Sequence, residues 1–175
     1  FAIADLPLSL GTDKPMDAFE GWDHYVSRLE TNWRATVAPD DTVVIAGDIS
    51  WAMRLGEAVA DFRFIDSLPG RKLILKGNHD YWWSTRKKES TEDKKIVSRE
   101  VGRLNASLDA AEKIGGKPVA FLHYPPVYGG MECREIMDVL VGRGITDCYY
   151  GHIHGSAAAK RSPTGEYRGV HMHLI

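Results

Sequence analysis

Six short apolar runs of strand character punctuate the chain, at residues 1–4, 42–46, 72–76, 118–122, 147–150 and 167–174. They are rich in Val, Ile, Leu, Phe and Tyr, and their length suits strands better than helices. Between them, apolar residues recur at three- and four-residue steps, which predicts amphipathic helices. Phe19, Trp22, Val26, Leu29 and Trp33 form one such stripe over 17–37, and Val59, Phe62 and Ile65 another over 57–68. Val97, Val101, Leu104, Leu108 and Ala111 mark a helix over 91–114, and Ile136 and Leu140 one over 132–141. Gly115-Gly116 and then Pro118 stop the third helix. Strand and helix in alternation predict an α/β fold with a largely parallel sheet covered by helices, within one domain spanning 1–175. The last run follows the turn Ser162-Pro163-Thr164-Gly165 and is a candidate for antiparallel pairing.

The polar residues that end these runs are not random. Asp5 closes the first, Gly47-Asp48 the second, Gly77-Asn78-His79-Asp80 the third, His123 the fourth and Gly151-His152-Ile153-His154 the fifth. Ligands of open α/β sheets bind beyond the carboxyl ends of the strands. Carboxylate and amide oxygens mixed with imidazole nitrogens suit Mn, Fe or Zn, whereas all-oxygen sets suit Mg and Ca. Two cations about 3.5–4 Å apart can activate a water and clamp phosphoryl oxygens. A glycine at the head of three of these groups, Gly47, Gly77 and Gly151, allows a sharp exit from the strand and close backbone approach.

This series resembles the calcineurin-like metallophosphoesterase superfamily, whose pattern runs Asp-x-His, Gly-Asp, Gly-Asn-His-Asp/Glu, His and Gly-His-x-His. The resemblance is strongest to a bacterial branch with Gly-Asp-Ile-Ser-Trp-Ala-Met, Gly-Asn-His-Asp-Tyr-Trp-Trp and His-Tyr-Pro-Pro, which stand here at 47–53, 77–83 and 123–126. It implies a sandwich of two mixed β-sheets flanked by helices and a hydrolase acting on phosphomonoesters or phosphodiesters. It implies two divalent metal ions (Mn, Fe or Zn), with Asp48 bridging them, Asn78, His123 and His152 completing the second site, and Asp5 and His154 serving the first. It also implies that His79 protonates the leaving oxygen or stabilises phosphoryl charge, and that Asp80 orients His79.

Two departures matter. The pattern wants histidine two residues after the first aspartate, and Asp5-Leu6-Pro7 places proline there, without a side-chain ligand atom. The first site should therefore be the weaker, and a catalytically weakened or non-catalytic metal-binding module on the same fold is the alternative reading. The interval between the third and fourth motifs is also short, so either the second sheet is incomplete or a segment near 86–91 is missing. The basic tract Arg86-Lys87-Lys88 within it reads as a solvated linker.

Composition narrows the rest. Net charge is -2, so nothing argues for a nucleic-acid-coating or membrane-surface protein as a whole; a nuclease, which would need a local basic patch, stays the less favoured alternative, and a phosphoester, small or macromolecular, is the expected partner. The cysteines, Cys133 and Cys148, lack CxxC spacing and read as free thiols in a reducing cytoplasm. Trp51, Tyr81, Trp82 and Trp83 follow ligand motifs and are either core or pocket wall. Arg54 and Arg86 read as surface, and His24, His171 and His173 as structural or exposed.

Overall fold

The computed structural model describes residues 1–14, 16–83 and 93–175. The chain divides into two compact units, Phe1–Thr85 and Arg86–Ile175. It is a mixed α/β fold whose sheets are flanked by helices. No helix among the described residues is long and apolar enough to cross a membrane.

In the first unit, strands β1 (Ala2–Ile3), β2 (Thr42–Ile45) and β3 (Arg71–Ile74) form a parallel sheet in that order, joined through helices α1 (Tyr25–Thr36) and α2 (Leu55–Ser67). Val43 and Ile45 alternate onto one face and are buried with Trp33 of α1 and Ile65 of α2. The register sets Ile3 beside Ile45 and Ile45 beside Ile74, so all three strands stop level. Asp5, Asp48 and Asn78 therefore leave the sheet from one edge.

The second unit holds helix α3 (Asp93–Glu112), strand β4 (Ala120–Leu122), a hairpin of β5 (Val127–Tyr128) and β6 (Met131–Glu132), helix α4 (Arg134–Gly142), strand β7 (Asp147–Tyr150), helix α5 (Ser156–Ala159), and strands β8 (Gly165–Tyr167) and β9 (Val170–Leu174). Its main sheet runs β4-β7-β9-β8, parallel except for β8. Cys148, Tyr150 and Met172 face Leu108 of α3 and Met137 and Leu140 of α4 in the core. Burial pushes the Cys148 thiol up to about 12, so it is inert packing. On the other face Phe121, Tyr149 and His173 stack across three strands, with centroids 5.1 and 4.3 Å apart. Arg143 at the end of α4 reaches Asp109, Glu112 and Asn105 of α3.

Several expected elements are altered. The first long helix is a 3-10 turn (Met16–Ala18) followed by α1, because Gly21 and His24 take left-handed backbones (φ 84° and 53°). Phe19 thus falls off the stripe and is 59% exposed. The final run is two strands: Arg168 and Gly169 (φ 50° and 79°) make the tight turn favoured between antiparallel strands, and only β8 runs antiparallel. Val170–Leu174 instead extends the sheet in parallel beside β7. The first sheet is wholly parallel among its described strands, as the alternation of strand and helix predicts. The tract 86–88 lies outside the described residues.

Candidate metal centre

The first unit gathers three loops that carry candidate ligands. Asp5 follows β1 and donates its N–H to the Gly47 carbonyl at 3.1 Å, which ties the first loop to the second. Asp48 follows β2 and is buried. Asp5 and Asp48 both hold left-handed backbones, at φ 55° and 52°. Such a conformation is strained for a residue with a Cβ and persists where the surroundings impose it, commonly at functional sites. Gly77 explains its own identity: a Cβ there would lie 2.1 Å from Asp48 Oδ1 and 2.3 Å from Asp48 N. The glycine leaves the space the carboxylate occupies.

Asp80 acts as a buckle between the second and third loops. Its Oδ2 accepts from Asp48 N at 2.9 Å and from Gly77 N at 2.7 Å; its Oδ1 accepts from Ile49 N at 2.8 Å and Trp82 Nε1 at 3.1 Å. These bonds fasten the second and third loops to each other. The His79 ring lies between Trp51 (5.3 Å) and Tyr81 (6.0 Å), with the Tyr81 hydroxyl 3.5 Å from Nδ1. The His79 backbone N–H donates to Asp48 Oδ1 at 2.8 Å. Trp82 is packing, edge-on to Phe62 at 4.7 Å. Trp83 is 44% exposed. Arg54 caps α2.

A further buried acid, which sequence reasoning did not single out, underlies these loops. Asp61 on α2 is fully buried; it accepts Leu10 N at 2.7 Å and the Ser50 hydroxyl. The sequence does carry a signal for it: Ala58, Asp61 and Ile65 share the buried side of α2, where a carboxylate is out of place unless bonded.

In the second unit the strand ends are again level, since Leu122 pairs with Tyr150 and Tyr150 with Leu174. His123 follows β4 and is buried; His152 follows β7 with φ 69°. Gly151 N donates to the His123 carbonyl at 3.2 Å, fixing the two exits together. The imidazoles stand 5.1 Å apart at 68°, and Tyr124 packs on both at 4.9 and 4.5 Å. His154 is exposed two residues on. His173 is structural: its Nε2 lies 3.1 Å from Asp147 Oδ1 and its ring stacks on Tyr149.

The donor sets fit divalent cations. Two imidazoles that bind one ion at about 2.1 Å and a roughly tetrahedral angle bring their centroids to about 5 Å, which is the His123–His152 separation. Within the first unit, Asp48 is a buried carboxylate in a cradle that only glycine permits. Pro7 adds nothing to the set, and its carbonyl accepts from the Tyr25 hydroxyl at 2.9 Å.

A family model described as calcineurin-like phosphoesterase matches residues 3–131. The chain belongs to the calcineurin-like phosphoesterase family. The match takes in Asp5, Asp48, Asn78, His79, Asp80 and His123, and stops short of His152 and His154. The Gene 66 protein of Mycobacterium phage L5 is 40% identical over 58 residues, which are 33% of this chain and 28% of the phage protein. That similarity therefore spans under a third of either partner. A crystal structure of a protein of unknown function from Aquifex aeolicus shares the fold, with TM-score 0.53 at 19% identity over 99% of this chain and 86% of that one.

Proposed function

We propose that the chain is a metal-dependent phosphoesterase that hydrolyses a phosphomonoester or phosphodiester. Family membership supports phosphoester hydrolysis in general. The observation that carries the specific reading is the treatment of the ligand positions: Asp5, Asp48 and His152 all hold left-handed backbones at the carboxyl ends of strands. In this reading Asp48, Asn78, His123 and His152 grip one divalent cation, and Asp5, Asp48 and His154 a second. When bound, Mn, Fe or Zn would polarise the phosphoryl group and supply a water ionised near neutral pH.

The chain's own groups do the rest. His79 delivers a proton to the leaving oxygen, and the rings of Trp51 and Tyr81 hold its imidazole in place. Asp80 acts through the backbone, keeping the Asp48 and Gly77–Asn78 loops together. The substrate is a small or macromolecular phosphoester; the net charge of -2 speaks against nucleic acid. Free thiols at Cys133 and Cys148 suit a cytoplasmic setting.

The test is hydrolysis of p-nitrophenyl phosphate and bis-p-nitrophenyl phosphate with Mn, with chelator, and in His79→Ala. Activity that needs Mn and drops about 100-fold in the variant supports the mechanism; equal rates in all three conditions overturn it. Pro7 favours a second reading, a catalytically weakened metal-binding module, which predicts Mn binding without turnover.

A further inference from the structure

Asp61 takes no part in the chemistry above, yet it is fully buried and both its oxygens are engaged. Its partners lie on two different ligand loops. Oδ1 accepts from Leu10 N at 2.7 Å, in the stretch that runs on from Asp5. Oδ2 accepts the hydroxyl of Ser50, two residues past Asp48, and that hydroxyl accepts from Ala52 N at 3.1 Å. Between these anchors the two loops pair as short parallel backbone: Leu8 N donates to the Ile49 carbonyl at 2.9 Å, and Trp51 N to the Leu8 carbonyl at 2.8 Å. Ser50 N also reaches Asp80 Oδ1 at 3.4 Å, so Ser50 stands between the two buried acids.

A helix built only for packing would place an apolar residue at this position. A buried carboxylate costs several kcal/mol to desolvate, and it is retained where its bonds fix something. What Asp61 fixes is the register of the loop carrying Asp5 against the loop carrying Asp48. From this geometry we infer that Asp61 is a positioning residue, acting through Ser50 and Leu10 to hold Asp5 and Asp48 where a divalent cation needs them. The inference rests on the metal-binding reading of those two aspartates.

Mn titration of the full chain followed by electron paramagnetic resonance tests it, using Asp61→Leu, Asp61→Asn, Ser50→Ala and Asp48→Asn. Asp61→Leu removes both bonds and should weaken Mn binding about 10- to 100-fold, the range seen when groups supporting metal ligands are lost. Asp61→Asn presents an oxygen to Leu10 N and an amide to Ser50, and should stay within about threefold of wild type. That rescue separates positioning from charge, and a purely structural role would not produce it at unchanged fold.

Ser50→Ala cuts the same link with a small deletion and should weaken binding at least about fivefold, so the test survives if Asp61→Leu does not fold. Wild-type Mn affinity in folded Asp61→Leu or in Ser50→Ala, with affinity lost in Asp48→Asn, overturns the role of Asp61 alone. Wild-type affinity in Asp48→Asn overturns the metal reading beneath it.

Discussion

The backbone N–H of Asp48 donates to Oδ2 of Asp80 at 2.9 Å, so one acidic residue of the ligand series holds the main chain of another. The same carboxylate collects Gly77 N, Ile49 N and Trp82 Nε1. An acid so employed is a fastening for two loops.

Asp80→Asn should therefore be costly in stability, because an amide N–H would then face backbone N–H donors that need an acceptor. Leaving such buried donors unsatisfied costs about 3 kcal/mol or more. Urea unfolding of the metal-free protein measures this. A variant as stable as wild type would show that the Asp80 bonds are incidental.

Gly77→Ala should displace the Asp48 carboxylate, since the new methyl would sit 2.1 Å from Oδ1. Mn affinity is expected to fall more than about tenfold while the fold persists. Unchanged Mn binding would mean the loop yields without cost.

Burial pushes the Asp61 carboxyl up from its ordinary value of 3.8, against the opposing pull of Ser50 and Leu10. A raised folded-state value means the neutral acid is favoured on folding. Its contribution is thus full below pH 3.8 and is lost as pH rises through the raised value. Asp61→Asn, which never ionises, should gain stability relative to wild type as pH climbs from that range toward neutrality. Urea midpoints across the range check this, and parallel curves for the two proteins would contradict it.

Pro7→His restores the ligand type that the family pattern places there. The loop backbone at this position is held by the Tyr25 hydroxyl on the residue-7 carbonyl, a bond that histidine keeps. A second, weaker Mn equivalent should tighten about tenfold, read by titration. No change would separate position 7 from the first metal.

Much of this was legible in the chain because strand ends are local features. An apolar run gives out, a glycine or aspartate follows, and the 147–150 strand falls where its pattern puts it. The helix over 17–37 misled because a stripe of apolar residues is a period, and a period does not report a left-handed break such as Gly21 to His24. The β5–β6 hairpin escaped notice although Gly129-Gly130, both left-handed, is a turn signal between its two short strands. The candidate ligands were readable as residue types at strand ends. The roles of Asp61 and Asp80 were not, since a carboxylate's partners are set by loops that only tertiary packing brings together.

The central proposal is that Asp48 and His152 are both ligands of a divalent cation. Mn affinity in Asp48→Asn, His152→Ala and the double variant tests it most directly. The account predicts that each single variant abolishes the tight site and that the double variant loses nothing more. Additive, independent losses, or a tight site surviving in either single variant, would contradict it.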